Sequence, residues 1–171
     1  MKFFFYTAAA IVCLASCNNK TQDKTLAKAD ITTEKDTLIL SKKFNDNIVV
    51  GDFDGDTQKD SAFLMLNTQN NLHAIKIKYH SGNTDILGGG NSIVGNKKFT
   101  DAGLGIFKIA PKDHIYFNNV GVDGDILREE DVKDEDKIKL PNDGIFLYYK
   151  ESCGGGIIYN ENGTYKWIIQ E

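Results

Sequence analysis

From Thr37 onward the large apolar residues fall in short clusters rich in Ile, Val, Phe and Tyr, and Gly, Asn or Asp separates one cluster from the next. This punctuation predicts β-strands, because a helix would instead repeat its apolar positions every three or four residues. Strands are expected over 38–40, 48–53, 62–66, 72–79, 104–109, 114–118, 145–149, 156–159 and 165–169. The run Ala74-Ile75-Lys76-Ile77-Lys78-Tyr79 alternates, which puts Ile75, Ile77 and Tyr79 on one face and both lysines on the other. Asn162-Gly163, between two aromatic clusters, offers the positive φ angles of a tight hairpin turn. Only the densely charged stretch 128–136 reads as a short surface helix. The expected fold is all-β and mainly antiparallel, a single-domain sandwich or open barrel over residues 37–171.

The first residues follow a different pattern. Lys2 precedes an apolar run over 3–14, and the small residues Ala15 and Ser16 stand directly before Cys17. This is the layout of a secretory signal over residues 1–16. The run is too short for a permanent transmembrane helix, which needs roughly 20 apolar residues. Leu14-Ala15-Ser16-Cys17 resembles the lipobox of bacterial lipoproteins. The resemblance implies cleavage before Cys17, acylation of its sulfur and amine, and attachment to a lipid bilayer, for which two acyl chains suffice. The alternative is a secreted protein in which Cys17 stays a plain thiol. Residues 17–36 are mainly Lys, Thr, Asp and other polar or small residues with almost no large apolar side chain, so they read as a flexible tether.

Charge and cysteine content narrow the function classes. Loss of Lys2 with the leader takes the formal net charge from −4 to −5, and no basic stripe suits nucleic acid. Of the three cysteines, Cys13 leaves with the leader and Cys17 is the lipid site, so Cys153 has no intrachain partner and no disulfide framework forms. Asn18-Asn19 after the lipid-bearing cysteine lacks the aspartate that commonly retains lipoproteins in the inner membrane. That favours the outer membrane. No run of acids follows the cysteine as in some surface-exported lipoproteins, which favours the periplasmic side.

Gly51-Asp52-Phe53-Asp54-Gly55-Asp56-Thr57-Gln58-Lys59-Asp60 joins two expected strands and is the most informative stretch. Four carboxylates crowd into it, and Gly55 permits the turn that points them inward. At an assumed 5 Å and an effective dielectric near 20, each like-charged pair repels by roughly 3 kcal/mol. A bound cation reverses that sign, and hard oxygen donors suit Ca²⁺ better than Mg²⁺. Thr57 and Phe63 stand where an EF-hand needs glycine and a bidentate glutamate, so this is no EF-hand. The loop resembles the calcium loops of FG-GAP and VCBS repeats, as in the integrin α-subunit propeller. The resemblance implies Asp52, Asp54, Asp56 and Asp60 as side-chain ligands and Gln58 through its carbonyl; Thr57 departs from that pattern, which usually has glycine after the third acid. A solvated loop without an ion, or one with another ion, are the alternatives. Residues 37–171 would supply only about three blades of roughly 40–50 residues, too few for a complete propeller, and no fixed period repeats the loop.

Other features carry less. Asp123-Gly124-Asp125 opens a second acidic segment, but Leu127 at its fifth position cannot ligate through its side chain. His73, His80 and His114 show no zinc spacing, and a Cys153–His114 nucleophile pair has only its residue types to support it. The glycine triplets 88–90 and 154–156 are explained by strand kinks or close backbone approach, since neither opens a helix. Tyr148, Tyr149, Tyr159, Tyr165 and Trp167 offer an aromatic platform for a sugar or a protein, although strand alternation sends some of them inward. The functional expectation is a calcium-stabilised, non-enzymatic binding domain for a protein or glycan. Its rivals are a periplasmic inhibitor or immunity protein acting against a toxin or cell-wall hydrolase, and an enzyme with an unrecognised site.

Overall fold

A computed structural model of the chain describes residues 37–43, 46–90, 92–95, 97–102, 105–149 and 154–171, with backbone only at 93 and 97. The leader, Cys17, the tether and Cys153 lie outside the described residues. The fold is all-β and antiparallel, without a closed barrel.

Two meanders make it. In the first, β2 (Ile48–Gly51), β3 (Asp60–Asn67), β4 (His73–Lys78) and β5 (Thr84–Gly88) pair in chain order, and β1 (Leu38–Leu40) pairs with the far half of β3 on the β2 edge. In the second, β8 (Ile106–Ala110), β11 (Gly144–Tyr148), β12 (Gly155–Glu161) and β13 (Thr164–Gln170) do the same. Two short ladders complete the structure. One is the pair β6 (Ser92–Val94) and β7 (Lys97–Phe99); the other joins β9 (Ile115–Tyr116) to β10 (Ile138–Lys139) within the long β8–β11 connection.

Alternation along the strands aims one face of each sheet at the other. Val49, Ala62 and Ile77 form one row of the first sheet and Leu64, Ile75 and Leu87 the next. They pack on Phe107, Ile145, Leu147 and Ile158 of the second. Each fully buried aliphatic side chain contributes about 1.5–3 kcal/mol relative to leaving it in water, so this layer holds the sandwich. The other face of the second sheet is covered too. Ile157, Tyr159 and Ile168 pack with Leu140, Ile138 and Tyr116 from the β8–β11 connection. Burial on both faces is why Ile157-Ile158-Tyr159 runs apolar without alternation.

Trp167 lies across Gly156, where a Cβ would come within 2.3 Å of the indole. In the second glycine triplet Gly155 and Gly156 thus serve close approach, whereas Gly88, which ends β5, and Gly89 and Gly90 after it all take positive φ. The Asn162-Gly163 hairpin has φ of 52° and 81°, as its sequence predicts. The nine expected strands are present within a few residues of their predicted ends, except that Leu104 lies outside the described residues. Strands β5, β6, β7 and β10 were not predicted. The charged stretch 128–136 forms two 3-10 turns, Glu129–Asp131 and Asp134–Asp136, in place of one helix. Among the described residues no helix is long and apolar enough to cross a membrane.

A polar clamp joins the two sheets at one end. Tyr79, just after β4, and Tyr165 on β13 both donate to Asp85 Oδ2 on β5, at 2.8 and 2.7 Å, and their hydroxyl oxygens lie 2.5 Å apart. Burial pushes the Tyr79 hydroxyl from 10.0 up to about 12, and the Asp85 charge adds to the rise. Burial and the same neighbours raise Tyr165 further. The folded state therefore holds these protons more tightly than the unfolded chain does. The stabilisation is complete below about pH 10 and is lost as pH rises through 12. Unfolding midpoints should accordingly drop across that interval, and Tyr165→Phe should flatten the drop. Equal alkaline losses in both proteins would refute the clamp.

Candidate metal centre

The aspartate loop begins where β2 ends, and its geometry follows from carboxylates accepting nearby backbone N–H groups. Asp52 Oδ1 accepts from Gly55 N at 2.8 Å, Asp54 Oδ1 from Asp56 N at 3.2 Å, and Asp56 Oδ1 from Gln58 N at 2.7 Å. Short acidic side chains close such turns readily, which is why aspartate and not glutamate fills the loop. Asp60, the first residue of β3, accepts from Phe53 N and His80 N, both at 2.8 Å, so it ties the loop to the following hairpin. Gly55 has φ of 85° and Thr57 of 71°. A β-branched residue in the left-handed region is strained. Thr57 thus occupies the position where the FG-GAP and VCBS pattern usually has glycine, and the loop holds it in the conformation that glycine would favour.

One carboxylate oxygen each from Asp52, Asp54 and Asp60 lie within 4.8 Å of one another. Asp52 and Asp60 are buried and Asp54 is exposed. Asp56 and Gln58 are exposed, and the Asp56 carboxylate stands outside this group of three. Among the described residues Asp123 and Asp125 join no such group. They flank a turn at Gly124, closed by Gly121 N donating to Asp125 O at 2.8 Å.

Three residues of the β8–β11 connection enter the site without having been predicted. Lys112 Nζ donates to Asp52 Oδ2 at 2.9 Å. Asp143 Oδ2 accepts from Asp52 N at 2.9 Å, its Oδ1 accepts from Lys112 N at 3.2 Å, and its own N–H donates to Asp52 O at 2.8 Å. Asn142 donates its side-chain amide to Phe53 O. The two connections correspond: Asp60 opens the second strand of one meander, and Asp143 immediately precedes the second strand of the other. Lys112 and Asp52 each follow closely on the first strand. That correspondence is the signal for these residues, but the spacing hides it, because β9, β10 and two 3-10 turns lengthen only the second connection.

The electrostatics divide the three aspartates. Burial raises Asp52, but the Lys112 hydrogen bond, the Gly55 and Thr57 N–H groups and the Lys112 charge outweigh it, and the carboxyl lies below its usual 3.8. Asp54 lies above that value, first through burial and then through repulsion from Asp60, Asp56 and Asp52. Lys112 therefore neutralises one side of the group and leaves negative charge uncompensated at Asp54. His80 meets the group only through its backbone N–H, and the other two histidines stand elsewhere. His73 is buried beside Asp101, with Nδ1 3.4 Å from Oδ1, and His114 is exposed beside Asp113. The aromatic residues do not form one platform either: Tyr159 is buried in the second core, Tyr165 belongs to the clamp, and Trp167 packs on Phe99 at 6.1 Å between ring centroids.

No protein-family model, curated protein or solved structure matches this chain.

Lys112 and an incoming cation would compete for the same carboxylate. Lys112→Met should lower stability in chelator, because it takes the counter-charge from the buried Asp52 carboxylate. It should also strengthen calcium binding in a direct titration. Weaker calcium binding by the variant would show that Lys112 supports the cation instead of standing in for it.

Proposed function

We propose that this chain is a membrane-tethered extracytoplasmic lipoprotein whose β-sandwich is a calcium-stabilised, non-enzymatic binding domain for a protein or glycan. One observation carries the calcium part: three carboxylates, two of them buried, converge on one point while Asp54 remains above its usual range. Asp52, Asp54 and Asp60 would hold the ion, with the more exposed Asp56 and the Gln58 carbonyl as the remaining donors implied by the FG-GAP and VCBS resemblance. Oxygen-only donors suit a hard cation. Such an ion acts as a staple, because it binds the folded loop and not the unfolded chain, so its binding free energy adds to stability.

The lipobox supports the tether, and the long polar stretch after Cys17 supports a domain held clear of the bilayer. The outer membrane, on its periplasmic side, is the location the residues after Cys17 favour. A protein partner gains support from the outer face of the first sheet, where Ile48, Val50 and Ile86 are each about half exposed. That feature also keeps the inhibitor or immunity-protein reading as the second choice.

Two measurements test the proposal. At a calcium concentration a hundredfold above Kd, stability should rise by ~2.7 kcal/mol, which is on the order of 10 °C in the melting midpoint. Asp54→Asn should raise the chelator midpoint, since it removes a repelled charge, and should abolish most of the calcium increment. A melting curve indifferent to calcium and EDTA would sink the staple. Separately, cells labelled with radioactive palmitate should yield a labelled protein, and Cys17→Ser should lose the label; an unlabelled wild-type chain would remove the lipid anchor from the account.

A further inference from the structure

We propose that the open cavity at the loop end of the sandwich binds a neutral carbohydrate. This rests on the reading of the domain as a binding module, and it narrows the partner to one chemical class. The cavity measures about 720 Å³, within the roughly 300–1,000 Å³ range of small-molecule sites. Four connections wall it: the aspartate loop through Asp54, the β4–β5 hairpin through Asn83 and Asp85, the segment before β11 through Asn142, and the β12–β13 hairpin through Asn160 and Asn162.

The lining selects the ligand by exclusion and by match. No Lys, Arg or His lines the cavity, so a phosphate or acidic peptide finds no counter-charge. No Leu, Ile, Val or Phe lines it either, so an apolar ligand gains little. What remains is four side-chain amides, two carboxylates and several hydroxyls. An amide offers donors and an acceptor together, and a carboxylate accepts from two hydroxyls. Adjacent hydroxyls on a sugar ring present donors and acceptors in the same alternation.

The acceptors are held in place before any ligand arrives. Asp85 takes both tyrosine protons on Oδ2, and among the described residues no hydrogen bond is made to its Oδ1. Asn160 is fixed by Gly163 N donating to its Oδ1 at 2.8 Å. Asn142 is fixed by its bond to Phe53 O. Side chains already ordered lose little entropy on binding, which is what an uncharged, weakly held ligand requires. Asp54 belongs both to this wall and to the candidate metal centre, so a bound cation would stiffen one side of the cavity.

The test is a printed array of neutral oligosaccharides probed with the tethered domain in calcium and in EDTA, followed by calorimetric titration of the best glycan. Binding of at least one neutral glycan is expected. Asn83→Ala, whose side chain makes no hydrogen bond among the described residues, should weaken it roughly five- to tenfold with an unchanged melting midpoint. Asp85→Asn keeps an acceptor for the tyrosines and should weaken it roughly ten- to hundredfold. The proposal is overturned by no binding across the array, or by affinity that neither variant changes. Glycan binding that persists in EDTA upholds the cavity. The calcium staple is judged separately, by melting curves without glycan, so either idea can fail alone.

Discussion

Asp52, just after β2, and Asp143, just before β11, are both buried, and each secures the other's connection. Asp143 accepts the Asp52 N–H, Asp52 accepts the Lys112 ammonium, and their backbones add a third bond. An isolated buried carboxylate costs several kcal/mol, so each is buried only together with the donors it accepts from. Reciprocity makes the burial tolerable. Gly51 belongs to the same arrangement, since a Cβ there would meet Ile109 Cδ1 at 2.9 Å and Asp143 Oδ2 at 3.1 Å. The apolar layer between the sheets provides most of the stability, but it is non-directional. The carboxylate exchange fixes which end of one meander faces which end of the other.

The same exchange explains how the aspartate loop keeps Asp52 and Asp60 buried while Asp54 and Asp56 face solvent. Backbone N–H groups satisfy most of the acceptors, and Lys112 supplies a full positive charge at Asp52. Lys112 reaches only that side. Asp54, exposed and repelled by three neighbours, carries the remaining imbalance. A divalent ion between Asp54 and the two buried carboxylates would correct it, which is why charge is a better argument for calcium than loop shape is. Thr57 keeps its left-handed φ because its surroundings impose it, its N–H being held by the Asp52 carboxylate.

What could be read from the sequence was local. Alternation in 74–79 placed Ile75 and Ile77 correctly in the core, and Asn162-Gly163 located its hairpin, because each depends on a few adjacent residues. The aspartate loop was legible for the same reason. Its partners were not: Lys112 lies 60 positions from Asp52, and Asp143 lies 91. Strand β5 escaped because Thr84 and Asp85 look like loop residues, and Asp85 sits in a strand only because two tyrosines satisfy it. The stretch 128–136 reads as helical by charge density. Its carboxylates instead form local contacts, as where Asp131 accepts the Arg128 N–H at 3.1 Å, and short 3-10 turns result.

Recognition at the loop end would draw on the rigidity that the buried carboxylates create. A cavity walled by four connections is ordinarily a mobile place, since loops have few packed neighbours. Here Asp60 ties the aspartate loop to the start of the β4–β5 hairpin, the tyrosine clamp ties that hairpin to β13, and Asn142 ties the approach to β11 to the loop. The bonds run from wall to wall around the opening. Movement of one wall must strain the next, so the cost of ordering the site is met largely by folding and not by the ligand. A cation at Asp54 would tighten the most exposed link in that circuit. On this argument the ion belongs to the scaffold, and its effect on binding is indirect, through the wall it holds still.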